Sequence, residues 1–152
     1  MTTHHPPIVE REVRIDARPE IVFQYFVDPA RMARWLGPAT TLDARPGGVI
    51  QLGVSGVHGG SGRFVVVDPP RRVVYTWGWD EPNHPIPPGS TRVEFDLTSD
   101  GDGTILRFHH LELPADAVDD HTVGWTYYLN RLTVVAGGGD PGPDTMMPAK
   151  SA

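Results

Sequence analysis

The stretch Val118-Asp119-Asp120-His121-Thr122-Val123-Gly124-Trp125-Thr126-Tyr127-Tyr128-Leu129-Asn130-Arg131-Leu132-Thr133-Val134-Val135-Ala136 decides the fold. Val118, Trp125, Tyr128, Leu129, Leu132 and Val135 recur at helical spacing and trace one apolar face. Gly137-Gly138-Gly139-Asp140-Pro141 stops that period abruptly, so one long amphipathic helix is predicted between Pro114 and Gly137.

Upstream, the period is two. Ile8 to Ile15 puts Val9, Val13 and Ile15 on one face and Glu10, Glu12 and Arg14 on the other, a half-buried antiparallel strand. Pro19 suits a first helical position ahead of Val22, Phe23 and Phe26. Asp28-Pro29 is a second cap-plus-proline start, running through Met32 to Trp35 and stopped by Gly37-Pro38. Six strands are then expected at Thr40–Ala44, Val49–Val54, Arg63–Val67, Arg72–Trp79, Arg92–Thr98 and Thr104–Leu111. The run Ser55 to Gly62 reads as a flexible connection, and Asp80 to Ser90, with four prolines, as an ordered loop. An antiparallel sheet and one helix must bury each other's apolar faces. The expectation is an α+β helix-grip fold, a curved antiparallel sheet wrapped around the C-terminal helix. Residues 1–7 are expected to be a flexible N-terminus, 8–136 the domain, and 137–152 a Gly/Pro-rich disordered tail.

Composition narrows the chemistry. At 152 residues the chain is one domain's length. It has no cysteine, so thiolate nucleophiles, disulfides, Cys-based zinc and iron–sulfur sites are excluded. Its one lysine is Lys150, which leaves no phosphate-loop lysine and a poor Schiff-base candidate. A net charge of −6 argues against nucleic acid or an anionic membrane as partner. The N-terminus carries no apolar signal region, so a cytoplasmic location is the default expectation.

Several motifs fail in context. Gly137-x-Gly139-x-x-Gly142 matches a dinucleotide fingerprint by letters but follows a helix, where the fingerprint needs a preceding strand. Asp100-Gly101-Asp102-Gly103 has too few ligands for calcium and reads as a hairpin turn. His109 and His110 point to opposite faces of a strand and cannot chelate together. His110 shares a face with Glu112, but two ligands make no site without His121 or His58, so no metal and no cofactor is expected.

The aromatic set remains. Tyr75, Trp77 and Trp79 share one strand face; Phe95 and Phe108 lie on two other strands; Trp125 and Tyr128 lie on the helix. Aromatic stripes mostly pack as core. The alternative is an apolar pocket in which Tyr hydroxyls, indole N–H groups and His110 supply sparse polar contacts.

The chain resembles the SRPBCC superfamily of START and birch-pollen-allergen-type domains, and within it the AHSA-type branch, named for homology to the C-terminal domain of the heat-shock protein 90 ATPase activator. The likeness is carried by Val22-Phe23, Asp28-Pro29 through Trp35, Pro46-Gly47-Gly48, Gly62-Arg63-Phe64, Asp68-Pro69-Pro70-Arg71-Arg72-Val73, Tyr75-Thr76-Trp77, Gly103-Thr104 with Phe108-His109-His110, and Gly124-Trp125 with Leu129 and Leu132. Leu36 stands where the branch has a second tryptophan, and the loop 80–90 is long for it.

The resemblance implies the helix-grip fold but no shared catalytic set. Together with the aromatic face it makes a small hydrophobic or aromatic ligand the expected partner, bound by Trp35, Tyr75, Trp77, Trp79, Phe95, Phe108, His110, Trp125, Tyr128 and Leu129. A cyclase-, aromatase- or hydrolase-like enzyme with His110 as base and Tyr75 or Tyr128 as donor is one alternative. A chaperone-cofactor or stress-response interaction domain is another, and a homodimer stays open. With one interior histidine and no catalytic set, binding is the better expectation than catalysis.

Overall fold

The computed structural model describes residues 8–54 and 58–145, without the side chains of Val54 and His58. The expected N-terminal segment 1–7, residues 55–57 of the expected connection and residues 146–152 of the expected tail lie outside the described residues.

The chain runs β1 (Ile8–Ile15), α1 (Pro19–Val27), α2 (Pro29–Met32), β2 (Ala39–Leu42), β3 (Val49–Val54), β4 (His58–Asp68), β5 (Arg72–Trp79), β6 (Thr91–Asp100), β7 (Gly103–Leu111) and α3 (Val118–Ala136), with a short 3-10 turn at Ala115–Ala117 before α3. All strand pairs are antiparallel, in the order β1-β7-β6-β5-β4-β3-β2. This is the expected helix-grip order, with a strand, two short helices, six more strands and a long helix.

Local chemistry sets the elements. Pro19 opens α1, where its missing N–H costs nothing. The Asp28 carboxylate caps α2 by accepting from the Ala30 N–H at 3.0 Å, and it also takes the Arg31 guanidinium at 2.6 Å. Those two hydrogen bonds, the one from Arg31 foremost, hold the Asp28 carboxyl below its usual range. The β6–β7 hairpin turns through Gly101, whose positive φ of 61° suits a residue without Cβ.

The core lies between the sheet's inner face and the helices. From the sheet it takes Val73, Tyr75, Trp77, Val93, Phe95, Leu106 and Phe108; from α3 it takes Trp125, Leu129, Leu132 and Val135. Phe26 of α1 stacks on Phe95 with centroids 4.3 Å apart, and Trp35 meets both rings edge-on. The Trp35 indole N–H donates to the Tyr25 carbonyl at 2.9 Å, which fixes the turn after α2.

One expectation is corrected. Residues 58–62 are not a flexible connection but the start of the 11-residue strand β4. A Cβ on Gly60 would collide with the Trp77 ring, and one on Gly62 with the Thr76 carbonyl. These glycines serve close approach of two strands around large side chains rather than chain freedom. The loop 80–90 is ordered as expected: the Trp79 N–H donates to the Ile86 carbonyl at 2.8 Å, and Ile86 is buried.

Two glycine substitutions test this packing in opposite directions. Gly62→Ala is expected to lower the unfolding free energy by ~2 kcal/mol or more. Gly124→Ala, where a Cβ meets nothing within 4 Å, is expected to raise it by about 0.5–1 kcal/mol. Urea unfolding checks both, and an unchanged Gly62→Ala protein would contradict the strand assignment.

Candidate functional site

The ten residues expected to line a site fall into one contiguous cluster. Trp35 follows α2; Tyr75, Trp77 and Trp79 sit on β5, Phe95 on β6, and Phe108 and His110 on β7; Trp125, Tyr128 and Leu129 sit on α3. Nine are buried, and Trp79 is half-buried at the rim. The rings touch one another. Phe108 and Trp125 are 4.4 Å apart, Phe95 and Phe108 5.3 Å, Trp77 and Trp79 5.7 Å, and Tyr75 and Trp77 6.1 Å. Tyr128 meets Tyr127 edge-on with centroids 5.0 Å apart and points its hydroxyl to the Asp144 carboxylate at 2.7 Å.

At the upper end of this cluster His110 is fully buried. The Thr91 hydroxyl donates to the Trp77 carbonyl at 2.8 Å. Its one proton is thereby used, so at 2.7 Å it accepts from His110 Nε2–H. His110 Nδ1 in turn accepts from the Trp125 indole N–H at 3.0 Å. The hydrogen bonds fix the imidazole as the neutral Nε2–H tautomer. Burial, with a smaller contribution from His121, pushes its pKa down to about 3. Burial also raises the Tyr75 hydroxyl pKa.

His121 extends the network to the rim. Its Nδ1–H donates to the Ala117 carbonyl at 2.8 Å, and its Nε2 accepts from the Trp79 indole N–H at 3.4 Å. Its ring lies 5.4 Å from that of His110. Thr91 and His121 complete this hydrogen-bond network and were not among the residues expected from sequence. Thr91 borders the proline-rich loop and carries no pattern signal. His121 could have been found from its place one turn before Trp125 on the predicted helix.

Glu112 does not join His110. It adopts a positive φ of 68° and is exposed, because the chain leaves the sheet there. His109 faces outward as expected, between its cross-strand neighbours Glu10 and Glu94. Glu94, Asp96 and His109 bring ligand-type atoms within 4.8 Å of one another on that outer face. Both carboxylates are already occupied by arginine. Arg72 meets Asp96 at 2.6 Å and Glu94 at 3.5 Å, and Arg92 meets Glu94 at 2.8 Å. A cation would have to displace two guanidinium groups, so the trio reads as an ion-pair ladder.

A cleft of about 680 Å³ lies at the far end of the molecule, against Arg18, Pro19, Pro70, Arg71, Leu97 and Asp102. None of the ten cluster residues borders it. Its arginines are paired, Arg18 with Asp102 at 3.7 Å and Arg71 with Asp68 at 3.4 Å.

A seven-stranded sheet gripping a long helix, with a neutral histidine at one end of an aromatic interior, defines a helix-grip domain. The family model described as Activator of Hsp90 ATPase homolog 1-like protein matches residues 16–137, and the chain belongs to that family, the AHSA-type branch of the SRPBCC superfamily. It is similar to the AHSA1-like protein RHE_CH02687 of Rhizobium etli, with 40% identity, 95% of this chain and 91% of that one covered, and a TM-score of 0.70. It shares the fold of DynU16, described as a protein in the dynemicin biosynthetic locus, at 21% identity and a TM-score of 0.77, covering 89% of this chain and 49% of that one. An uncharacterized protein of Schizosaccharomyces pombe is 33% identical over 70 residues, 45% of this chain and 20% of that one. The chain therefore spans about a fifth of that curated relative and about half of DynU16. No helix among the described residues is long and apolar enough to cross a membrane.

The state of His110 has a measurable sign. Its pKa is lower folded, about 3, than the ordinary 6.5, so the unfolded chain binds a proton that the native chain refuses. Its contribution is complete above pH 6.5 and is lost as pH falls from there toward 3, with a limiting slope of about 1.4 kcal/mol per pH unit. NMR of the imidazole nitrogens is expected to show Nε2–H and no titration between pH 8 and about 4. A midpoint near 6.5 would contradict the network.

Proposed function

We propose that the chain binds a small hydrophobic or aromatic ligand between the sheet and α3, against Trp35, Tyr75, Trp77, Trp79, Phe95, Phe108, His110, Trp125, Tyr128 and Leu129. The observation that carries the proposal is the oriented Trp125–His110–Thr91 chain set among apolar rings. Binding sites for small molecules combine an apolar lining with a few polar groups of fixed direction. Here a hydroxyl on the ligand has one natural acceptor, His110 Nδ1, which it would take from the Trp125 N–H. The rings touch in the free chain, so admission requires Trp125 and Phe108 to part.

The same chemistry supports binding over catalysis. A general base needs a free lone pair and a pKa near the working pH. The His110 lone pair is engaged, and its pKa of about 3 makes it a weak base. The raised pKa of Tyr75 makes it a poor acid.

Thermal unfolding with anilinonaphthalenesulfonate and with uncharged two- and three-ring aromatics tests the proposal. A ligand at 100 times its Kd adds ~2.7 kcal/mol of stability. Trp125→Phe keeps a ring but leaves His110 Nδ1 open. That variant is expected to favour a hydroxylated aromatic over its parent hydrocarbon by roughly fivefold more than the unaltered chain does, the worth of one neutral hydrogen bond. Absence of stabilisation by any of these compounds at about 1 mM would overturn the proposal.

A further inference from the structure

Beyond α3 the chain turns back on the helix. Gly138 takes a positive φ of 99°, and the Gly139 N–H donates to the Val134 carbonyl at 2.8 Å. The following residues, expected in sequence to begin a tail, run back along α3 and hydrogen-bond to Arg131, Tyr128 and Tyr127. The buried Arg131 is the centre of this arrangement. Its guanidinium donates to the Trp35 and Arg34 carbonyls at 3.2 and 3.4 Å, and to the Pro141 and Gly142 carbonyls at 3.4 and 2.9 Å. One side chain thus bridges the end of α2, α3 and the returning segment. Farther along, Asp144 accepts from the Tyr128 hydroxyl, and the Tyr127 hydroxyl accepts from the Thr145 N–H at 2.7 Å.

Two features separate this segment from ordinary core. First, none of residues 140–145 is buried. Its attachment is therefore polar, and lifting it exposes little apolar surface. Segments held by few apolar contacts open at low free energy while the core stays folded. Second, its contacts fall on two residues of the candidate site, the Trp35 carbonyl through Arg131 and the Tyr128 hydroxyl directly.

We infer that residues 140–145 are a strap that closes the seam between the end of α2 and α3, and that ligand admission lifts it. The inference rests on the binding reading above and adds its regulation. Closure and admission compete, so only the fraction of molecules with the strap open is competent to bind, and weakening the strap raises the apparent affinity by the gain in that fraction. The strap acts as a gate built into the fold, with Asp144 as its latch and Arg131 as its hinge post.

Stopped-flow fluorescence with anilinonaphthalenesulfonate on the full chain, with and without Asp144→Ala, tests the latch. Hydrogen exchange of the unaltered chain with and without the probe tests the motion. The strap predicts at least about a tenfold faster association for Asp144→Ala, as expected when the charge-assisted hydrogen bond from Tyr128 is lost. It also predicts faster exchange of the 140–145 amides in the presence of probe, while β6 and β7 are not accelerated. If the unaltered chain binds the probe but association is unchanged in the variant and 140–145 exchange is unaffected, the strap is overturned and the binding site stands. If neither protein binds the probe, both fall. Should Asp144→Ala fail to fold, the exchange result on the unaltered chain decides.

Discussion

A buried histidine between a helix and a sheet constrains both. His110 is fully enclosed, so each ring nitrogen must find a partner within the protein. One comes from β6 through Thr91 and the other from α3 through Trp125. Loss of either would leave a polar atom unpaired in an apolar surround, at a cost of about 1–3 kcal/mol. Dispersion among rings is tolerant of sliding; this chain of hydrogen bonds is not. It fixes the rotation of α3 against the sheet, and the stacking of Phe108, Phe95 and Phe26 follows in register.

The same constraint sets what the interior can do. The polar groups are oriented by one another, and the tautomer is determined by the Thr91 hydroxyl proton going to the Trp77 carbonyl. In the proposed binding role, such an interior would select a ligand by shape and by one or two polar positions. At its rim the half-buried Trp79 and His121 continue the network, while Tyr128 turns toward the strap. The aromatic interior thus has two polar margins of different character, one beside the proline-rich loop and one along residues 140–145.

Much of this was legible in the residues. Strict alternation placed β1 at its observed bounds, because it has one buried face and a residue slip would invert it. Flanking turns bounded β3 and β5, although β5 buries residues on both faces, Val74 as well as Val73 and Tyr75. The aromatic cluster followed from parity and helical spacing. The Gly59–Gly62 run misled because glycine signals both freedom and close approach, and only the neighbour decides; here it is Trp77 and the backbone at Thr76. Thr91 was hidden because its role depends on the strand register that sets it beside His110. Arg131 carries no signal in the helical pattern, because it is buried against carbonyls from two other segments, which no helical spacing encodes. The outer ladder of Glu94, Asp96 and His109 was within reach, since the Asp100–Gly103 turn fixes the register that opposes Glu94 to His109.

The central claim is that a ligand is held beside His110, between β7 and α3. Its most direct test is intermolecular NOE measurement on the protein saturated with an uncharged two-ring aromatic. The account predicts contacts from the ligand to the Trp125 indole N–H, the His110 ring and Phe108, together with a shift of the His110 Nδ1 resonance. Ligand contacts confined to exposed residues, with the His110 and Trp125 signals unmoved at saturation, would contradict it.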